Sequence, residues 1–194
     1  MEITFNKFKN KDYVFDWVSS SFHSEEGFYI VALTLTGRIR FNSLSSKTII
    51  LINEQSLSEK QVGRSFTFPE LESGFNEFMK QLDYKYLPTS KRKKGIRLKV
   101  LPCYGGDVKN GSFNHVHAYI RFPNSVSLEN AYLYMEKIVQ NKMEGVCKLR
   151  GLVETKIWCE KVDKVEPKLI QYMTRSEGEF KNKLDKIMLH QAYL

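Results

Sequence analysis

"FNHVHAYIRF", residues 113–122, decides how the rest of the chain is read. Side chains of a strand alternate between its faces with a period of two, so Val116, Ala118, Ile120 and Phe122 share one side. That side is made for a core. His115, His117, Tyr119 and Arg121 share the other, which presents two of the chain's four histidines side by side and asks for a reason beyond packing.

Working outward, the glycine-rich "GGDVKNGS" (105–112) joins this strand to "GIRLKVLPCY" (95–104), where Ile96, Leu98 and Val100 alternate with charged neighbours. So tight a link predicts an antiparallel hairpin. "GFYIVALTLTGRIRF" (27–41), "KTIILINE" (47–54) and "GLVETKIWCEKV" (151–162) are rich in β-branched and aromatic residues and read as further strands. From Pro69 to Leu87, Leu71, Phe75, Phe78, Leu82 and Tyr86 recur at helical spacing behind a proline in the tolerated first turn. A second helix over 127–142 has Ser127 as N-cap and Leu128, Tyr132, Met135 and Val139 as its expected buried stripe. In "EPKLIQYMTRSEGEF" (166–180), Pro167 opens and Gly178 closes a short third helix. Strands and helices interleave, but the hairpin favours an α+β domain over a doubly wound parallel sheet.

The 194 residues, 42% hydrophobic and 13% aromatic, suit one domain: an N-terminal extension (1–27), a core (28–180) and a C-terminal helix (181–194). No apolar run approaches the roughly eighteen residues of a membrane helix, and the opening residues lack a signal peptide's apolar segment, so a soluble cytoplasmic protein is expected. Cys103, Cys147 and Cys159 are odd in number and have no CxxC spacing, which argues against a disulfide framework and a cysteine-rich zinc site. The net charge of +8 is clustered, in "KRKK" at 91–94 and along 180–188, and suits either a polyanion such as nucleic acid or a solvated basic face.

Imidazoles at i and i+2 of a strand are close enough to hold one ion together, although such pairs also occur on ordinary solvated faces. Asp107, eight residues before His115, is placed by the hairpin turn to offer a carboxylate over the same face. A zincin's helical HExxH is absent, the aspartate that follows HxH in metallo-β-lactamase-like hydrolases is Tyr119 here, and no second HxS or HxT strand of a two-histidine phosphoesterase exists.

"HVHAYI" resembles the His-hydrophobe-His motif of HUH endonucleases, specifically rolling-circle replication initiators. "ALTLTG" (32–37) resembles their first motif and "YMTRSEG" (172–178) their YxxK nucleophile motif, in matching order from about Phe28 to Phe180. The resemblance implies a central antiparallel sheet of about five strands with flanking helices, related to the ferredoxin and RRM arrangement. It implies His115, His117 and Asp107 as ligands of Mg or Mn, and Tyr172 as the nucleophile that nicks single-stranded DNA or an origin hairpin and stays attached to the 5′ phosphate. Lys168 and Arg175 fall at i−4 and i+3 from Tyr172, placing cations on both sides of a phenol whose ordinary pKa is about 10. Arg38, Arg40, Lys91, Arg92, Lys93, Lys94, Lys181 and Lys183 are candidate DNA contacts.

Arg175 stands where the motif usually has lysine, Asp107 where glutamate is more usual, and Ser176 excludes a paired-tyrosine YxxxY arrangement. No GxxxxGK[ST] loop is present, so unwinding is expected from elsewhere or from a part not present here, and the resemblance implies a host polymerase and helicase as partners. Two rivals remain: a single-strand HUH transposase, which usually has glutamine where Ser176 sits, and a noncatalytic RRM-like module that binds single strands through sheet aromatics. A tyrosine packed by its ring on a helix is the plain alternative for Tyr172.

Overall fold

The longest apolar run builds the longest strand, β1 (Phe28–Arg40), and it runs through the middle of the sheet. The computed structural model describes residue 22 and residues 27–40, 63–106, 113–149 and 152–162. After β1 come β2 (Gly63–Ser65), α1 (Phe68–Tyr86), α2 (Thr89–Lys93), β3 (Val100–Gly105), β4 (His115–Pro123), α3 (Leu128–Cys147) and β5 (Val153–Val162).

All strand pairs are antiparallel. β1 pairs with β4 over Phe28–Thr36 and with β5 over Ile30–Ile39. Because β5 fills one edge of β1, β2 must continue the other edge beyond β4, opposite Arg38–Arg40. Asn114 stitches that junction: its backbone N–H donates to Ser65 Oγ (2.7 Å) and its side-chain amide to the Phe66 carbonyl (2.8 Å). The order across the sheet is β5-β1-β4-β3, which with α1 and α3 gives the β-α-β-β-α-β ferredoxin-like arrangement. The α+β reading and its five-stranded antiparallel sheet therefore stand.

Alternation sorts the two faces. Val31, Leu33 and Leu35 of β1 and Val116, Ala118, Ile120 and Phe122 of β4 pack into one core with Leu71, Phe75, Phe78 and Leu82 of α1 and Met135, Val139 and Met143 of α3. Each of these side chains except Ala118 contributes about 1.5–3 kcal/mol by leaving water. Gly37 interrupts the row because a Cβ there would overlap the Glu154 carbonyl oxygen of β5 and the Phe66 ring, whose Cε2 lies 2.6 Å from that position. α1 begins with a capping box: Thr67 Oγ1 accepts from the Glu70 N–H, and the Thr67 N–H donates to the Glu70 carboxylate. Arg64 hydrogen bonds the same carboxylate and holds it far below its usual range, at about 2.

Three sequence expectations shift. The strand expected over 95–104 starts only at Val100, because the Leu98 N–H donates to the buried Asp83 carboxylate (2.8 Å) and the chain before it turns off α1. "KRKK" lies mainly in α2 instead of leading into a strand, and Arg92 closes that turn by donating to the Leu87 carbonyl and Thr89 Oγ1. On α3, Tyr132 is outside the core and donates to Glu136, while Ala131 takes its place, one i+3 step from Leu128 where the sequence reading took i+4. The strand over 47–54 and the helices expected over 166–180 and 181–194 lie outside the described residues. Among the described residues, no helix is long and apolar enough to cross a membrane.

Candidate metal centre

The face of the sheet away from α1 and α3 carries the histidines, and strand register fixes their neighbours. His117 has Thr34 of β1 on one side and Cys103 of β3 on the other. His115 has Thr36 and Gly105. The far half of this face is covered: Tyr119 and Arg121 are buried, with the Phe22 ring 6.4 Å from the Tyr119 ring and 5.7 Å from the Arg121 guanidinium. The two histidines, both partly exposed, sit where the covered half gives way to the open one.

The rings meet edge to face with Nε2 atoms 2.9 Å apart. His115 Nδ1 is 2.8 Å from the Phe113 carbonyl oxygen. A carbonyl only accepts, so Nδ1 carries the proton and a neutral His115 turns its Nε2 lone pair toward His117. His117 Nδ1 is 2.9 Å from Thr34 Oγ1, whose hydroxyl can donate or accept. When His117 Nδ1–H donates to Thr34, both Nε2 lone pairs converge, and a cation between them relieves the repulsion. Otherwise a single Nε2–H lies between the rings.

Two nitrogens at right angles on one ion, each about 2.1 Å away, are about 3.0 Å apart. The 2.9 Å separation therefore fits a pair of cis ligands with little rearrangement. Gly105 makes room for it: a Cβ there would overlap the His115 ring, lying 2.6 Å from Cδ2 and 2.8 Å from Cε1. No group of three His, Cys, Asp or Glu side chains forms among the described residues, so Cys103, although opposite His117, does not complete one. Asp107, the expected third ligand, lies outside the described residues, as do Lys168, Tyr172, Arg175, Lys181 and Lys183.

The basic candidates divide. Arg38 and Arg40 lie on the histidine face, beyond Thr36, and both grip Glu154 of β5, at 2.8 Å from Arg38 Nε and 2.9 Å from Arg40 Nη2. Hydrogen bonds from the two guanidinium groups hold the Glu154 carboxyl below its usual range. The trio keeps one net positive charge. Lys91, Arg92, Lys93 and Lys94 instead lie past the opposite end of β3, about 17 Å of strand from Gly105. Arg92 there stacks 4.3 Å over the Tyr84 ring, so it is a packing residue of the α1–α2 turn. By sequence these two basic groups are equal candidates, and the sheet separates them.

Described tyrosines make poor nucleophiles. Tyr29 and Tyr104 are buried on the helix side, where burial pushes both phenols upward, Tyr29 to about 12. Tyr119 is on the histidine face but fully buried, and Tyr84 is exposed at the far end beside Arg92. Tyr86 and Tyr134 pack against each other, and the Glu136 carboxylate raises Tyr132. Tyr13, Tyr172 and Tyr193 lie outside the described residues.

Two aromatics not expected at the site are exposed on it: Phe113 at 45%, two residues before His115, and Trp158 at 56%, across β1 from His117. A lone aromatic ordinarily reads as core, but alternation carried the signal: Trp158 shares its parity with Glu154, Lys156 and Glu160, and Phe113 shares its parity with His115 and His117. No family model matches this chain, and neither a curated protein nor a solved structure matches it.

Proposed function

We propose that the protein is a metal-dependent, single-strand DNA nickase and strand transferase of the rolling-circle initiator type. The observation that carries this reading is the convergence of the His115 and His117 Nε2 atoms at 2.9 Å on a partly open sheet face. A divalent ion bound there, Mg or Mn, supplies charge withdrawal from the scissile phosphate. The Phe113 carbonyl and Thr34 hydroxyl hold the two rings in the geometry that receives it. Arg38 and Arg40, pre-oriented by Glu154, attract the flanking backbone. Tyr172 gives up its phenolic proton and attacks phosphorus; the tyrosyl O–P bond forms as the P–O3′ bond breaks, and the departing 3′ oxygen takes up a proton. The phosphotyrosyl bond retains the phosphodiester's energy, so a later 3′ hydroxyl can reverse the step without a nucleotide cofactor.

An RRM-like binding module is the second reading, favoured by exposed Trp158 on the sheet face. Against it, the open positions of the central strands hold His115, His117, Thr34 and Thr36 where such a module stacks bases on aromatics. Incubation with end-labelled single-stranded DNA and Mn, followed by denaturing electrophoresis, separates the two. A covalent band lost with chelator and in Tyr172→Phe is expected. Tight binding with no adduct would leave the module.

A further inference from the structure

Trp158 is 56% exposed, an unusual position for an indole in the middle of a strand. β5 sets it directly opposite Thr34, the residue that holds His117, and sets Lys156 opposite Thr36, whose other neighbour is His115. Trp158 is thus two strand spacings, about 10 Å, from His117 across the same face. None of the ring contacts among the described residues engages it. Exposed Lys156 lies on one side, followed by Arg38 and Arg40, and Glu160 lies on the other. A phosphate chain beside the indole is therefore drawn toward the Lys156 side and repelled by the Glu160 side.

We propose that Trp158 is the stacking platform for an unpaired base of the DNA strand whose scissile phosphate lies at His115 and His117, with Lys156, next to the indole on the same strand, taking a phosphate of that DNA strand. The inference rests on the single-strand nickase reading and adds to it a subsite with a direction. Stacking on an open indole requires a bare base face, which a paired and stacked base cannot offer. Trp158 therefore favours single strands over duplex at the place where a strand is cut, with little preference for base identity.

The chain has two tryptophans, so Trp17→Phe leaves Trp158 as the sole indole. In that background, oligothymidylate should quench the emission while a duplex of equal length leaves it unchanged. Fluorescence anisotropy, with and without Mn, should show Trp158→Ala binding the single strand about 5- to 150-fold more weakly, and Trp158→Phe retaining most of the affinity. Thermal melts of both variants should match the wild type, since the side chain is exposed. Unchanged emission and unchanged affinity in Trp158→Ala, from a protein that still forms the Tyr172 adduct, would overturn the platform and leave the nickase standing. Failure to bind any single-stranded DNA would overturn both, and quenching by oligouridylate but not by DNA would overturn the assigned strand chemistry.

Discussion

Replacing Gly105 by alanine tests the metal centre through its supporting geometry. The backbone at Gly105 does not have the positive φ that alanine resists, so β3 can accept a methyl group there. The space cannot. The new Cβ would lie 2.6 Å from His115 Cδ2, and ordinary contact begins at 3.4 Å, so the ring must move by at least 0.8 Å, and Nε2, which is closer still, by more. Metal–nitrogen bonds of about 2.0–2.1 Å tolerate only about 0.2 Å of displacement. Gly105→Ala should therefore weaken Mn binding by about 10- to 100-fold, the range for losing support of a ligand, with a melting temperature close to wild type. Isothermal titration with Mn, alongside His115→Ala as the scale for outright ligand loss, measures this. Equal Mn affinity in Gly105→Ala and wild type would refute the idea that His115 binds from the position it occupies here.

Two further outcomes follow from named contacts. Thr34→Val keeps the shape but removes the hydroxyl beside His117 Nδ1, and should lower Mn affinity by about 10- to 100-fold, whereas Thr34→Ser should retain it; equal losses in both would point to packing instead of hydrogen bonding. Glu70 is held at about 2 in the folded chain, below its ordinary 4.5, so its stabilising effect is complete above that ordinary value and fades as pH falls through 2. Glu70→Gln should cost about 1 kcal/mol in urea unfolding at pH 7, the partly exposed Arg64 pair being screened by solvent, and the difference should vanish near pH 2.

Much of this molecule is legible in its residues because alternation is a local property. The β4 pattern alone puts Val116, Ala118, Ile120 and Phe122 on one side and both histidines on the other, and α1 shows its Leu71, Phe75, Phe78 and Leu82 stripe without any knowledge of what covers it. The Tyr132 misassignment on α3 has the same local origin: steps of three and four residues are both helical, and only contact with the sheet chose Ala131.

Sequence by itself determined the sheet-and-helix class, the antiparallel hairpin and the identity of the paired imidazoles, since these depend on periodicity and turn chemistry within a few residues. Tertiary structure alone decided what the imidazoles meet. Thr34 beside His117, Glu154 gripping Arg38 from 116 positions away, Gly105 beneath the His115 ring and Trp158 across the same face are all set by strand register. Register is fixed by burying one whole face of five strands against α1 and α3, because a slip of a single residue would turn every core side chain outward.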